Sequence, residues 1–400
     1  METGDIAWML TASALVLLMT PGLAFFYGGL VRGRNILNTI MFSFMAMAVA
    51  SVVWVLWGYS LAFGDGNAWI GDFSHLGLNG LDVNADSEEL LFVIFQGMFA
   101  IITPALITGA IVERFKFTTY LVFLVLWLTF VYAPIAHWVW AGEGWLFKEG
   151  ALDFAGGTVV HINAAVAAVV AAFLVGKRRN PALEPSNVPY VVLGAGILWF
   201  GWFGFNAGSG FAANAVGINA FLVTNTSAAA AALTWGLISQ FQFGKMSAAG
   251  VATGAVGGLV AITPAAGFVG VMGALAIGFG AGILCYAAVQ LRPKLGLDDS
   301  LDVFSVHGVG GIWGALATGI FAVGAIGGTE GLIEGNVEIM GTQVIAVVAT
   351  LLYSGIVSLI ILKVLDLIPG LGLRVSEADE DQGLDISQHG ERAFVSDGAD

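Results

Sequence analysis

LLFVIFQGMFAIITPALITGAIV, residues 90–112, runs for 23 positions without a charged side chain and is closed by Glu113, Arg114 and Lys116. A helix needs about 20 mostly apolar residues to cross the hydrocarbon of a bilayer. The same pattern recurs along the chain. Apolar runs near 6–30, 38–63, 90–112, 117–139, 156–176, 188–210, 218–242, 248–266, 267–290, 303–325 and 341–366 predict eleven spans. The boundary inside 248–290 is the least sharp, because only a short Pro/Gly segment around Pro264 divides it.

Composition supports this reading. The 400 residues are 58% hydrophobic and only 10% charged, where a soluble domain carries about 25% charged residues. Glycine is abundant, at 56 residues, and in a bilayer small residues let helices approach closely. The single cysteine, Cys285, excludes an internal disulfide and a cysteine-based metal cluster. No basic patch exists to bind nucleic acid.

Charge fixes an expected orientation. Arg32 and Arg34, Arg114 and Lys116, Lys177 to Arg179, Lys245, Arg292 and Lys294, and Lys363 and Arg374 all fall at the ends of odd-numbered spans, with Arg392 in the tail. Of 14 basic residues, only Lys148 falls on the other side. Cytoplasmic loops carry the excess of Lys and Arg, so the N-terminus is expected outside and the C-terminus in the cytoplasm. Glu2 and Asp5 precede the first apolar run, and no basic residue appears before Arg32, so a cleaved signal peptide is not expected. Residues 1–370 read as a membrane domain and 371–400 as an acidic tail. Residues 376–400 hold eight acidic groups against Arg392, half of the formal charge of −14. Such a tail is expected to be solvated, flexible or ordered by a partner.

Two halves echo each other. DFAGGTVVHINAA at 153–165 contains an aspartate, a Gly-Gly pair and His161; DVFSVHGVGG at 302–311 contains an aspartate, His307 and a Gly-Gly pair. IITPALITGAI in the third span echoes AITPAAGFVGV near the eighth. A five-span offset reverses direction in the membrane, and transporters built from such inverted repeats bind near the midplane.

His161 and His307 lie deep in apolar runs, where ionisable groups face a cavity or a partner. Two readings stand: separate histidines, each bonded to a neighbouring helix, or an adjacent pair lining a pore. Equivalent placement in the two halves favours the pair. Neutral imidazoles both donate and accept hydrogen bonds, which suits a proton path or a small polar guest. His137 reads as an interfacial structural residue, and Trp140 as an interface anchor. Phe95 and Phe99 stand one turn apart and share a face. Phe205 lies in GWFGFNAGSG, with Ser209 one turn outward. Asp153 reads as a cap on the fifth span that also adds a negative field at the outer mouth.

Long ordered stretches resemble the ammonium transporter family, which includes methylammonium permeases and, more distantly, Rhesus-type proteins. They are PGLAFFYGGLVRGRN at 21–35, FAIITPALITGAIVERFKF at 99–117, PIAHWVW at 134–140, LDFAGGTVVHINAA at 152–165, WFGWFGFNAGS at 199–209, VAITPAAGFVG at 260–270 and DVFSVHGVGGIWG at 302–314. LDISQHGERAF at 384–394 resembles the family's cytoplasmic terminus. The resemblance implies an all-α protomer of eleven helices, with inverted five-helix halves and an extra eleventh helix, assembled as a homotrimer. It implies an outer ammonium site of Phe95, Phe99, Trp140 and Ser209, a gate of Phe99 and Phe205, and twin histidines His161 and His307 in the pore. Asp153, Trp202 and Thr263 would support the pathway. The loop after Trp140, AGEGWLF, is bulkier and more acidic than the family pattern, which bears on the vestibule. Ammonium, ammonia and methylammonium are the implied cargo, the cytoplasmic membrane the location, and a trimeric P-II regulatory protein the partner at the inner face. No enzyme activity, cofactor or metal is expected. Two rival functions are a sensor that binds ammonium and reports through its tail, and a haem or metal enzyme with His161 and His307 as ligands. No HExxH or cysteine-rich signature favours the enzyme.

Overall fold

The charged ends of the apolar runs determine how the helices gather. In the computed structural model, which describes residues 1–181 and 184–394, the chain is all helix and loop, with one isolated bridge between Phe115 and Arg374. The spans are α1 (Thr3–Leu30), α2 (Gly33–Phe63), α3 (Ser87–Ala110), α4 (Phe117–Lys148), α5 (Gly157–Val175), α6 (Val188–Gly208), α7 (Ala215–Phe243), α8 (Ala248–Ile262), α9 (Val271–Leu295), α10 (Phe304–Phe321) and α11 (Glu338–Leu367). Ten are long and apolar enough to cross a bilayer; α8, at 15 residues, is shorter. At 1.5 Å per residue α8 covers roughly 22 Å, less than the ~30 Å of hydrocarbon. The expected eighth span, 248–266, therefore ends early, and residues 263–270 continue without regular helix. A proline at position 264 and glycines at 267 and 270 are the cause.

Helices α1 and α6 pack along their length. Gly22, Gly29, Gly194, Gly201 and Gly204 put backbone against backbone there; a methyl group on Gly194 would meet the Phe26 nitrogen at 2.3 Å. Small residues at such a seam replace the hydrophobic drive that lipid does not supply.

One end of the bundle is tied by buried ion pairs. Glu113 accepts from the Arg32 side chain at 2.5 Å, from the Asn35 amide at 3.0 Å and from Arg178 at 3.1 Å. Arg178 also grips Asp298 at 2.7 Å, and the fully buried Arg114 donates to the carbonyls of Gly176 and Asp298 and to the Ser300 hydroxyl. The loops after α1, α3, α5 and α9 thus meet at one face.

Residues 371–394 lie on this same face. Two short helices, α12 (Glu377–Gln382) and α13 (Leu384–His389), are held there by named bonds. Glu380 accepts from the Arg374 side chain at 2.6 Å and the Arg179 amide at 2.7 Å. The Asn38 backbone donates to Asp385 at 2.8 Å, and the Leu384 backbone to Asn35 at 2.8 Å. A tail expected to be solvated is, over this stretch, packed on the chain's own basic end. Its acidic side chains find arginines there, and Leu373, Val375 and Leu384 are buried. Residues 395–400, with Asp397 and Asp400, lie outside the described residues.

Glu113→Ala would take a carboxylate from the buried Arg178 guanidinium and from the partly exposed Arg32. The expected cost is about 3 kcal/mol, read as a lower thermal unfolding midpoint in detergent, while the surface pair Lys148–Glu143 can be broken with a change within about 0.5 kcal/mol.

Candidate functional site

Helices α5 and α10 begin inside the bundle, and each begins on an aspartate. The Asp153 carboxylate accepts backbone N–H groups from Gly156 at 2.8 Å, Gly157 at 2.5 Å, Thr158 at 2.9 Å and Val159 at 3.1 Å, and also the Thr158 hydroxyl. The Asp299 carboxylate accepts from Val303 at 3.1 Å and Phe304 at 2.7 Å. A helix start has four unpaired N–H groups and a positive dipole end, so a buried carboxylate satisfies both needs. Asp153 stands eight residues before His161, and Asp299 eight before His307. The aspartate equivalent to Asp153 is therefore Asp299, not Asp302 as the sequence echo implied. Asp302, at φ 61°, turns to Arg292 at 2.7 Å, and burial pushes its carboxyl up to about 7 against the pull of that arginine.

Each of these helices opens with a wide π turn, Gly157–Ile162 in α5 and Phe304–Gly308 in α10. Such turns cluster at functional positions because they re-aim side chains. Here they aim the two histidines at each other. The Nδ1 atoms of His161 and His307 are 3.2 Å apart, and the rings stack at 5.3 Å with 22° between planes. The reading of two separate histidines is excluded by this contact. A bond between two Nδ1 atoms requires one ring to donate and the other to accept, so a neutral pair is opposite in tautomer. His161 Nε2 is buried and has no hydrogen-bond partner among the described residues.

Gly157 lets α5 begin where it does. A methyl group on it would meet the Pro264 ring at 2.6 Å, and the Phe154 backbone donates to the Pro264 carbonyl at 3.1 Å. The irregular segment after α8 therefore supports the start of α5. It also supplies Thr263, whose hydroxyl accepts from Trp202 Nε1 at 2.8 Å and donates to the Leu259 carbonyl at 2.7 Å. The Trp202 ring lies 5.4 Å from His161 at 22°, flat against it. The pair faces a bore of about 10 Å³ walled otherwise by apolar residues, among them Leu23, Ile102, Leu106 and Val256. That is close to the least volume that holds one water.

Toward the end opposite the arginines, the Phe99 and Phe205 rings close the bore at a centroid distance of 4.3 Å. Beyond them opens a vestibule of about 240 Å³ lined by Phe99, Trp140, Asp153 and Ser209 among others. Phe95 backs Phe99 at 5.0 Å, and a methyl group on Gly208 would strike the Phe95 ring at 2.7 Å. Trp140 meets Phe99 edge-on at 5.7 Å and is fixed by donating Nε1 to the Asp153 carbonyl at 2.9 Å. Ser209 donates its hydroxyl to the Phe205 carbonyl at 2.9 Å, so its lone pairs are left to accept. Of the site residues expected from the sequence, Phe99, Trp140, Asp153 and Ser209 line the vestibule and His161, Trp202, Phe205 and His307 line the bore, while Phe95 and Thr263 line neither and act from behind, against Phe99 and Trp202. His137 stands apart from these, with its ring nitrogens 2.9 and 2.6 Å from the carbonyls of Ala62 and Asn67.

The model of the Ammonium Transporter Family matches residues 7–394. The chain belongs to the ammonium transporter family. Ammonium transporter Amt1 of Archaeoglobus fulgidus is 48% identical over 99% of this chain and the whole of that protein. An ammonium transporter of Aquifex aeolicus is 51% identical over 98% of this chain and 94% of its own. Among solved structures, Mep2 of Saccharomyces cerevisiae superposes with a TM-score of 0.89 at 39% identity, covering 94% of this chain and 88% of its own. A structure titled Sensor Amt Protein superposes at 0.89 with 29% identity, covering 96% of this chain and 98% of its own.

Several vestibule residues of this family member were not singled out in the sequence, among them Phe147, Phe211 and Gln96. Phe147 comes from the last helical turn of α4, Trp145–Lys148, in the stretch after Trp140 whose bulk was noted. Phe211, at φ 52°, lays its ring 5.6 Å from Phe95. Gln96 follows Phe95 directly and carries no pattern that marks it. Among the described residues no cluster of three or more His, Cys, Asp or Glu could hold a metal ion.

Asp153→Ala removes five hydrogen bonds from a buried helix start. We expect a loss above about 3 kcal/mol, given roughly 1–3 kcal/mol for each buried group left unpaired. Thermal unfolding in detergent measures it, and Asp299→Ala should show a smaller loss, with two bonds removed.

Proposed function

We propose that ammonium transport in this chain runs by capture of the cation in the vestibule, loss of its proton, and passage of ammonia along the histidine bore. The observation that carries this reading is the contrast between the two compartments. The vestibule offers aromatic faces, a carboxylate and a free hydroxyl acceptor. The bore offers about 10 Å³ and apolar walls. A desolvated cation–π contact is worth about 2 kcal/mol. Bringing a bare ion of this size into low dielectric costs on the order of 20 kcal/mol before relaxation. Aromatic contacts cannot offset that. Deprotonation, with a lysine-like pKa of about 10.4, costs roughly 4.6 kcal/mol at pH 7. The cheaper route is to shed the proton, and potassium has none to shed. The proton lost by the cation is regained when ammonia leaves the bore, so the cargo is chemically unchanged and the reading is one of transport.

The arginines of the basic end, with residues 371–394 packed on it, support a cytoplasmic placement of that end and an outside N-terminus, in a protein of the cytoplasmic membrane. Residues 1–370 form the transport domain in this reading. The homotrimer and a P-II protein at the inner face follow from the family resemblance and complete the proposal. A sensor reading is favoured by the likeness to a structure titled Sensor Amt Protein, yet that likeness is 29% identical against 48% and 51% for the transporters.

In proteoliposomes, the double variant His161→Ala, His307→Ala is expected to lose most ammonium flux or its selectivity over potassium. Full flux with unchanged selectivity would refute the histidine role. Labelled methylammonium uptake into cells lacking other carriers separates transport from sensing: a sensor gives binding without accumulation.

A further inference from the structure

The vestibule holds one polar side chain that nothing in the protein satisfies. Gln96, on α3, is 6% exposed, lines the vestibule beside Phe99, Trp140 and Ser209, and makes no hydrogen bond among the described residues. Its Oε1 is buried without a partner. A carboxamide left unpaired at membrane depth is costly, and leucine or methionine would fill the same volume without that cost. The neighbours supply no donor. Trp140 Nε1 is committed to the Asp153 carbonyl and the Ser209 hydroxyl proton to the Phe205 carbonyl. The Asp153 carboxylate only accepts. Around Gln96, then, stand acceptors and ring faces, and the missing element is a donor. A half-turn of the amide presents either its oxygen or its nitrogen, and a cation takes the oxygen.

We propose that the Gln96 amide oxygen accepts an N–H from the cation held against Phe99 and Trp140, in the vestibule it shares with Ser209, and that this second acceptor sets the preference for ammonium over methylated amines. The inference rests on the transport reading above and adds a residue to it. Two acceptors, one on α3 and one at the end of α6, suit a tetrahedral donor whose four N–H groups point every way. Each methyl group on the nitrogen removes one of those directions and puts an apolar group against the amide. Replacing Gln96 with leucine removes the acceptor and makes that wall hospitable to methyl groups. Replacing it with glutamate puts a charge where the oxygen was.

The test is uptake of labelled methylammonium into proteoliposomes of the full chain, with ammonium as competitor, for the wild type, Gln96→Leu and Gln96→Glu. For Gln96→Leu the ammonium inhibition constant should rise roughly tenfold, the methylammonium KM should rise less, and the loss should fall on these constants rather than on the maximal rate. Gln96→Glu should bind ammonium more tightly than the wild type at neutral pH and lose that gain as pH falls through the carboxylate range. The proposal is overturned if both variants keep the wild-type ratio of ammonium to methylammonium constants within twofold. It is equally overturned if Gln96→Leu loses maximal rate alone and Gln96→Glu shows no pH-dependent affinity, which marks a packing role. A wild type that takes up no methylammonium defeats the transport reading itself, a result distinct from either.

Discussion

A helix that starts or stops inside a bilayer must find partners for its bare backbone groups, because no water is there to supply them. Much of this architecture answers that demand. α5 and α10 start within the bundle, and Asp153 and Asp299 take up their free N–H groups. α8 stops short, and its irregular continuation packs Pro264 under Gly157. Breaking helices at this depth is what makes a site available where none would otherwise exist. The two aspartates fix the starts of the helices, the π turns swing the imidazoles inward, and Trp202, held by Thr263, presses one ring flat. Remote polar bonds thus hold the geometry of an apolar path.

The opposite solution operates at the basic end. Arg114, Arg178, Glu113 and Asp298 are buried as ions, but each is hydrogen-bonded to carbonyls, amides or its opposite charge. The same face receives residues 371–394, so the ends of α1, α3, α5 and α9 and the tail form one bonded unit.

The spans were legible because apolar length is set by the bilayer itself, and the gathering of Arg32, Arg114 and Arg178 at one end of the bundle was legible in the spacing of the basic residues. The length of α8 was not, because residues 263–266 are as apolar as the helix before them and only the proline and glycines mark the change. The repeat was visible in His161 and His307, but its aspartate was assigned to Asp302. Proximity in sequence favoured the nearer acid, while capping geometry selects Asp299. The packed state of residues 371–394 depends on partners such as Arg179 and Asn35, far away in sequence and invisible to composition. Gln96 illustrates the deepest limit: its distinction is a bond it does not make, and no string of letters records that.

The shared Nδ1 contact between the two imidazoles has a consequence for traffic. A hydrogen ion entering on one ring and leaving from the other would reverse the polarity of that single link, exchanging the two tautomers. A second ion from the same side would then meet a nitrogen already occupied. Both rings must return to their starting state before the link can be used again. A proton path through such a link would have to be reset after each transfer.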